Sequence, residues 1–445
     1  MPMRRQAIRR MFNPAHNFLA SRSAHDADDE AFGCDALAAY CILGARTERF
    51  AEADEALRHV RYASRRGHDA VSRTLDRSLG CVLGNVVGDA LGAPLEFVDV
   101  RYGVSELTSM DDEAIWAKEG YNSFSIKPGQ WTDDASMALC LVDSLLCCGR
   151  LDALDLRQRF WLWHKFGYNN AFGRDSLSDY RGSVGLGGNM GFSICEWEDQ
   201  QDRTPQTLAT DQYTNGNGSI IRNGAIPVWF RSDIEEGMRS AYQQSKATHG
   251  GEEAAELCRL LTFVCTSFIN GAGVEILEDL SSFETPLYTV ECLANAQCEE
   301  AHAHNAHPVF GALANRRWNW KTFDHRYCSS RAQMDPTYIG SYAMDCMSMA
   351  LHCVYTTNSF QEATLKAANL CGDSDSVCSV VGQLAGALYG ASAIPPEWLQ
   401  RIHQWDGGSI AARALMLHNH EELGLTGALE HSACDSAVLL GVPVS

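Results

Sequence analysis

Glycine recurs at every fourth position in two separate stretches of this chain. Gly80, Gly84, Gly88 and Gly92 punctuate residues 80–96, and Gly382, Gly386 and Gly390 punctuate residues 378–390, both otherwise apolar and rich in small side chains. Four-residue spacing lines one face of an α-helix with bare backbone. Each such glycine costs about 1 kcal/mol of helix propensity relative to alanine, so several in register imply very close approach of another helix or a ligand. Two glycine-faced helices in one chain imply a tightly packed helical core.

Two acidic clusters, Thr132-Asp133-Asp134 and Asp373-Ser374-Asp375-Ser376, each open a predicted helix. After the first, Ala138, Leu141, Val142 and Leu145 follow helical spacing, and the second leads directly into the glycine-faced run. Taken singly, either cluster is explained as a helix cap, because Asp, Ser and Thr are preferred there and acids favour the positive end of a helix dipole. Taken together, four carboxylates and two hydroxyls form an oxygen-rich set suited to a hard divalent cation. Carboxylates gathered in a folded protein repel one another unless protons or cations neutralise them. A centre of two Mg²⁺, or Mn²⁺, accounts for both clusters at once.

The remaining composition narrows the classes. A chain of 445 residues, 45% hydrophobic, can bury a sizeable core, and the even spread of its motifs favours one large domain. Mean hydropathy is slightly negative at −0.21, and no stretch is expected to reach the roughly 18 to 20 continuous apolar residues of a membrane span, so no membrane partner is expected. The formal charge of −20 argues against nucleic acid, whose binding needs a basic surface. The 17 cysteines are scattered through apolar helical segments, as at Cys140, Cys258, Cys265, Cys346 and Cys353, which suits free buried thiols in a reducing, cytoplasmic compartment better than disulfides or zinc.

Five segments in this order resemble the ADP-ribosylglycohydrolase family, which includes the dinitrogenase-reductase-activating and ADP-ribosylarginine hydrolases. They are Gly88-Asp89-Ala90-Leu91-Gly92 with Glu96; Gln130-Trp131-Thr132-Asp133-Asp134; Gly216-Asn217-Gly218-Ser219 with Arg222; Ser245-Lys246-Ala247-Thr248-His249; and Gly372-Asp373-Ser374-Asp375-Ser376. A helix beginning near Tyr342, with Cys346, Met349 and Cys353 in register, also resembles the family's pattern ahead of the last cluster. The resemblance covers residues 75–413, and five ordered motifs are far more specific than any one.

The resemblance implies an all-α, compact multi-helix orthogonal bundle with a binuclear metal cleft. It implies Thr132, Asp133, Asp134, Asp373, Asp375 and Ser376 as metal ligands for two Mg²⁺ or Mn²⁺. The implied reaction is hydrolysis of the glycosidic bond between ADP-ribose and an acceptor side chain of an ADP-ribosylated protein, arginine favoured, with release of ADP-ribose. Such bonds break through an oxocarbenium-like state, so the acceptor must be released and water activated. Glu96, Asp134 and Asp375 are the candidate catalytic residues. Gly216, Asn217, Gly218 and Ser219 form a turn, a common signal by itself, whose N–H groups suit a diphosphate. His249, otherwise an ordinary structural histidine, is implied to contact the nucleotide.

Three departures stand out. Ala135 replaces a threonine after the paired aspartates, and Ser376 replaces a threonine after the last aspartate while keeping the hydroxyl. Gly185-Leu186-Gly187-Gly188-Asn189 lacks an acid that bacterial relatives carry shortly before Gly-Asn, which moves the role of base to Glu96 or another group. Two alternatives remain: a non-catalytic ADP-ribose-binding or structural relative of the same fold, and a binuclear phosphohydrolase, which would usually add histidines at the metals.

Residues 1–76 are expected to be a helical extension, with Phe50, Ala53, Leu57 and Val60 on one face. Residues 1–25, with five arginines and no acid, have a composition also found in organelle import signals. Residues 77–413 are the expected catalytic domain and 414–445 a tail. Residues 165–215 are expected to be loops with short helices, residues 279–340 irregular, and His302, His304 and His307 a surface or capping group rather than a metal site.

Overall fold

The computed structural model describes residues 70–177, 182–199, 203–209, 214–299, 316–421 and 425. The arginine-rich segment 1–25, the predicted face of Phe50, Ala53, Leu57 and Val60, the histidines at 302, 304 and 307, and the tail beyond 425 lie outside them. The longer helices are α1 (Ala70–Gly92), α2 (Asp133–Cys148), α3 (Ala153–Phe166), α4 (Gly188–Asp199), α5 (Ile234–Lys246), α6 (Glu252–Ile269), α7 (Ala343–Tyr355), α8 (Phe360–Ala368), α9 (Ser374–Tyr389), α10 (Pro396–Asp406) and α11 (Ser409–His418). Among the described residues there is no strand, only isolated bridges at Gly216–Tyr342 and Cys298–Arg317, so the expected all-α architecture holds. The domain limits expected at 76/77 and 413/414 fall inside α1 and α11.

Helices α1 and α9 run antiparallel through the centre, and the glycine stripes face each other. A Cβ added at Gly84 would sit 2.2 Å from the Gly382 carbonyl oxygen, one at Gly80 2.2 Å from that of Gly386, and one at Gly88 2.0 Å from that of Cys378. Backbone therefore rests on backbone, and the close approach inferred from the spacing is that of a second helix. At the end of this seam, Gly92 lies against Ser374 and Asp375, where a Cβ would meet the Asp375 Cα at 2.5 Å.

Around this pair, one continuous core is built from the apolar faces of α2, α6, α7, α8 and α11. The segment Arg73–Leu95 has the length and mean hydropathy (1.3) of a spanning helix, contrary to the sequence expectation, yet its apolar 18-residue window is wholly buried within the protein. Surrounding helices, rather than lipid, cover it. The described cysteines form no disulfide, and Cys140, Cys258, Cys265, Cys346 and Cys353 are buried free thiols. Residues 165–215 hold more order than predicted: α4 spans 12 residues and buries Met190, Ile194 and Trp197. Residues 279–340 contain short helices at Tyr288–Ala294 and Ser329–Met334.

Candidate active site

The seam brings the C-terminal end of α1 to the N-terminal end of α9, and α2 begins beside both. Thr132 precedes the first turn of α2 and Asp373 that of α9, but neither side chain caps its own helix. The cap of α2 comes instead from Asp89, inside α1. Its carboxylate accepts from Thr132 N (3.0 and 3.1 Å), Thr132 Oγ1 (2.9 Å) and Ala135 N (2.8 Å). With α2 capped from outside, Asp133 and Asp134 are released from the role that would otherwise explain them, and at α9 Asp373 likewise makes no capping bond.

Those acids converge. One oxygen from each of Glu96, Asp373 and Asp375 lies within 4.8 Å of the others, all three residues buried. Thr132 Oγ1 is 3.3 Å from Asp375 Oδ2, which ties the first cluster to the second. Asp133 and Asp134 are buried beside them, and Glu96 Oε2 and Asp134 Oδ2 have no hydrogen-bond partner. Burial first, and then the charge of Asp375, push Glu96, Asp133, Asp134 and Asp373 well above the usual carboxylate range. Burial also raises Asp375, and it raises Asp89 to about 7 with help from Asp375 and despite the bonds from Thr132 and Ala135. Crowded, desolvated carboxylates with unused oxygens suit an all-oxygen cation shell.

Above them opens a cavity of about 450 Å³, a usual size for a small-molecule site. Glu96, Asp133, Asp373, Asp375 and Ser376 line it, whereas Thr132 and Asp134 stand behind this first layer. The glycine-rich segment 185–188 supplies another side. Gly185, at φ +81°, passes so close that an added Cβ would lie 2.1 Å from Asp133 Oδ1. No acid of this segment lines the cavity, in keeping with the departure seen in the sequence.

The turn at Gly216–Ser219 is clamped to the seam. Asn85 donates to Ile221 O (2.8 Å), and Gln383 donates to Ile220 O (3.0 Å) and Ile221 O (2.8 Å). Asn217 spends its side chain on Asp373 Oδ2 (2.9 Å) and Gly340 O (3.2 Å), and its N–H on Ser341 O (2.8 Å). Gly216, Asn217 and Gly218 line the cavity, but Ser219 does not: its hydroxyl accepts from Ser245 Oγ (2.8 Å). His249 packs on this turn, its ring 3.0 Å from where a Gly218 Cβ would stand. Burial, and next the Arg222 charge, hold His249 well below its ordinary value, so it is neutral. Arg222 itself does not reach the cavity; it bonds Gln244 and Thr248 and lies over the Phe160 ring.

The far wall was not foreseen. Two buried arginines are paired there, Arg331 with Asp345 through two bonds (2.8 and 2.6 Å) and Arg316 with Glu253 (2.6 Å) and Glu299 (2.8 Å). Both guanidinium groups lie near the rings of Trp318 and Tyr342. Nearer the acids stands Tyr338, whose hydroxyl is raised first by the charge of Asp373 and then by burial. It was not singled out from the sequence, and no local pattern marks it.

Comparison with known proteins agrees with this geometry. Residues 70–424 match the family model for ADP-ribosylglycohydrolase. The ADP-ribosylarginine hydrolase Tri1 of Serratia proteamaculans (strain 568) is 30% identical over 354 residues, covering 79% of this chain and 82% of that protein. Tri1 of Pseudomonas putida (strain GB-1) is 31% identical over 330 residues, 74% of this chain and 75% of that one. A solved structure described as an ADP-ribosylglycohydrolase-related protein complex superposes with a TM-score of 0.55 at 28% identity, covering 78% of this chain and 99% of that chain. On the extent of these matches, the chain belongs to the ADP-ribosylglycohydrolase family of glycosidic-bond hydrolases.

Proposed function

We propose that this protein hydrolyses the glycosidic bond between ADP-ribose and a protein side chain, arginine favoured, and releases ADP-ribose. The observation that carries the reading is the convergence of Glu96, Asp133, Asp373 and Asp375 on one cavity wall, with Asp134 and Thr132 behind them. The names of the Tri1 relatives, which are ADP-ribosylarginine hydrolases, support the arginine linkage.

The donor set fits two divalent cations, Mg²⁺ or Mn²⁺. Glu96 Oε2 and Asp134 Oδ2 are unpartnered inside the protein, and Thr132 and Ser376 add hydroxyl oxygens beside the carboxylates. Asp133, Asp373 and Asp375 would hold the ions, with Thr132, Asp134 and Ser376 completing the shells. When bound, the ions would supply orientation of the ribose hydroxyls and a water of lowered pKa.

The remaining work belongs to the chain. Glu96 lines the cavity with a free oxygen, which suits it to accept the proton of the attacking water at its carboxylate. Asp375 and Asp134 orient that water's neighbours. Asn217 fixes Asp373, while neutral His249 presents a ring nitrogen without adding charge. Gly216 and Gly218 leave room for the ligand's backbone-facing edge. Buried free thiols support a reducing, cytoplasmic setting.

The test is to incubate purified protein with arginine- and serine-linked mono-ADP-ribosylated substrates, in Mg²⁺ or EDTA, beside an Asp133→Ala, Asp375→Ala double variant. Metal-dependent release of ADP-ribose from the arginine-linked substrate, lost in the variant, is expected. Absence of release from either substrate, with metal bound, refutes the reading.

A further inference from the structure

Hydrolysis at the ribose C1″ places the acceptor within a bond of the reacting carbon, so the acceptor must touch the cavity wall nearest the carboxylates. On one side that wall is Tyr338. Its position is fixed by backbone bonds joining three chain segments: Phe97 N to Gly372 O (3.0 Å), Gly372 N to Val98 O (2.8 Å) and Asp373 N to Ile339 O (3.0 Å). Glu96, Asp373 and Tyr338 are thus neighbours by construction.

The Tyr338 ring is stacked on Phe97 at 5.7 Å between centroids and 21° between planes. Phe97 in turn meets Phe124 edge-on at 5.8 Å, and Phe124 packs on the small cluster of Ala93, Trp116, Ile126 and Phe172. Phe97 adopts a left-handed φ of +67°, a costly conformation for an aromatic residue, directly after Glu96. One face of Tyr338 is therefore backed by a supported ring. Farther out on the same segment, the exposed carboxylate of Asp335 lines the cavity rim.

A planar aromatic face with carboxylates on two sides matches a planar cation. Guanidinium groups stack on aromatic rings and pair their N–H edges with carboxylates, whereas a serine oxygen offers neither a cation nor a plane. We propose that Tyr338, backed by Phe97, is the platform on which the acceptor guanidinium stacks, and that Asp335 at the rim pairs with its outer edge. This rests on the arginine-directed hydrolase reading above and names the residues that would give it its preference.

The test compares Tyr338→Leu, Tyr338→Phe and Asp335→Asn with the wild-type chain on arginine-linked and serine-linked substrates, alongside calorimetric binding of free ADP-ribose with Mg²⁺. Tyr338→Leu is expected to lower kcat/KM on the arginine-linked substrate about tenfold, while its ADP-ribose affinity stays unchanged. Tyr338→Phe, which keeps the ring, is expected to recover most of that loss, and Asp335→Asn to raise KM a few-fold with kcat retained. Equal activity of Tyr338→Leu and wild type overturns the proposal. So does a matching loss of ADP-ribose affinity, which would put the ring under the nucleotide, or a Phe variant as poor as the Leu variant. If the wild type itself spares the arginine linkage, the function reading and this proposal fall together.

Discussion

Replacing Gly185 by alanine separates the placement of one carboxylate from the stability of the fold. The residue has φ +81°, where a non-glycine residue costs about 1–2 kcal/mol. Its new Cβ would begin 2.1 Å from Asp133 Oδ1, and contacts under 3.0 Å are essentially never seen, so about 0.9 Å of separation must be found. The cheaper movement is at the Asp133 carboxyl end rather than the backbone. Stability should then fall by only about 1–2 kcal/mol, while the carboxylate shifts by nearly an ångström. Displacement of that order in a reacting constellation costs about 10²-fold in rate. The assay is kcat for ADP-ribose release, with the thermal midpoint and Mn²⁺ affinity measured on the same sample. Gly120→Ala, at φ +80° with nothing within 4 Å of an added Cβ and away from the cavity, is the control and should lose the same stability of about 1–2 kcal/mol while keeping wild-type kcat. A folded Gly185→Ala protein with kcat within about twofold of wild type would refute the claim that Asp133 must sit where it does.

Other perturbations reach different parts of the same structure. Gly84→Ala gains helix propensity of about 1 kcal/mol but drives a Cβ to 2.2 Å from a carbonyl oxygen. Overpacking of about 1–3 kcal/mol or more should win, lowering the denaturant midpoint; an unchanged or higher midpoint would contradict the backbone seam. Because burial raises the pKa values of Asp89, Asp133 and Asp373 above those of the unfolded chain, the metal-free fold holds more protons than the unfolded state. Its stability should therefore fall as pH rises from about 4 through 7, and Mg²⁺ or Mn²⁺ should raise the melting temperature more at pH 8 than at pH 5.5. A metal increment independent of pH would speak against these carboxylates as ligands. Asp89→Ala should cost about 1–2 kcal/mol through the lost cap of α2, with weaker metal binding because Thr132 loses its anchor. Calorimetry with Mn²⁺ checks the second effect, and unchanged affinity would confine Asp89 to capping. Arg331→Met leaves Asp345 buried and unpaired and should cost about 3–5 kcal/mol, which Arg331→Met with Asp345→Asn should largely restore in denaturant melts.

What was legible in the sequence was local. The glycine period and the acid-then-apolar order announce α1, α2 and α9 because helix periodicity and terminal charge are written within a few residues. The identity of the cap was not. Asp89 lies in the last turn of α1, 43 positions from the N–H group it serves, and the Gly88–Gly92 motif that carries it gives no sign of which helix it caps. Helix α4 did carry a pattern in Met190, Ile194 and Trp197, but the glycines and asparagine before it masked a start that tertiary contact stabilises. The arginine wall joins residues 14 and 63 apart, and side-chain pairing over such separations leaves no periodic trace. Tyr338 was hidden for the same reason, since it is brought to Asp373 by the bond that the Asp373 N–H donates to the carbonyl of Ile339, in an irregular stretch.

The bare seam between α1 and α9 also acts as a gauge. Where side chains separate two helices, every exchange of a leucine for a valine resets their spacing and whatever stands at their ends. Here the stop is main chain against main chain, at Gly80, Gly84 and Gly88, and it has no side chain to vary. Glu96 and Asp373 are therefore delivered to the same separation whatever residues pack on the outer faces of the pair. The cavity walls are free to be rewritten for a different acceptor while the carboxylates keep their places, which makes residues 187–188 and 334–338 the natural targets for redirecting specificity, and Gly185 and the seam glycines the positions to leave alone.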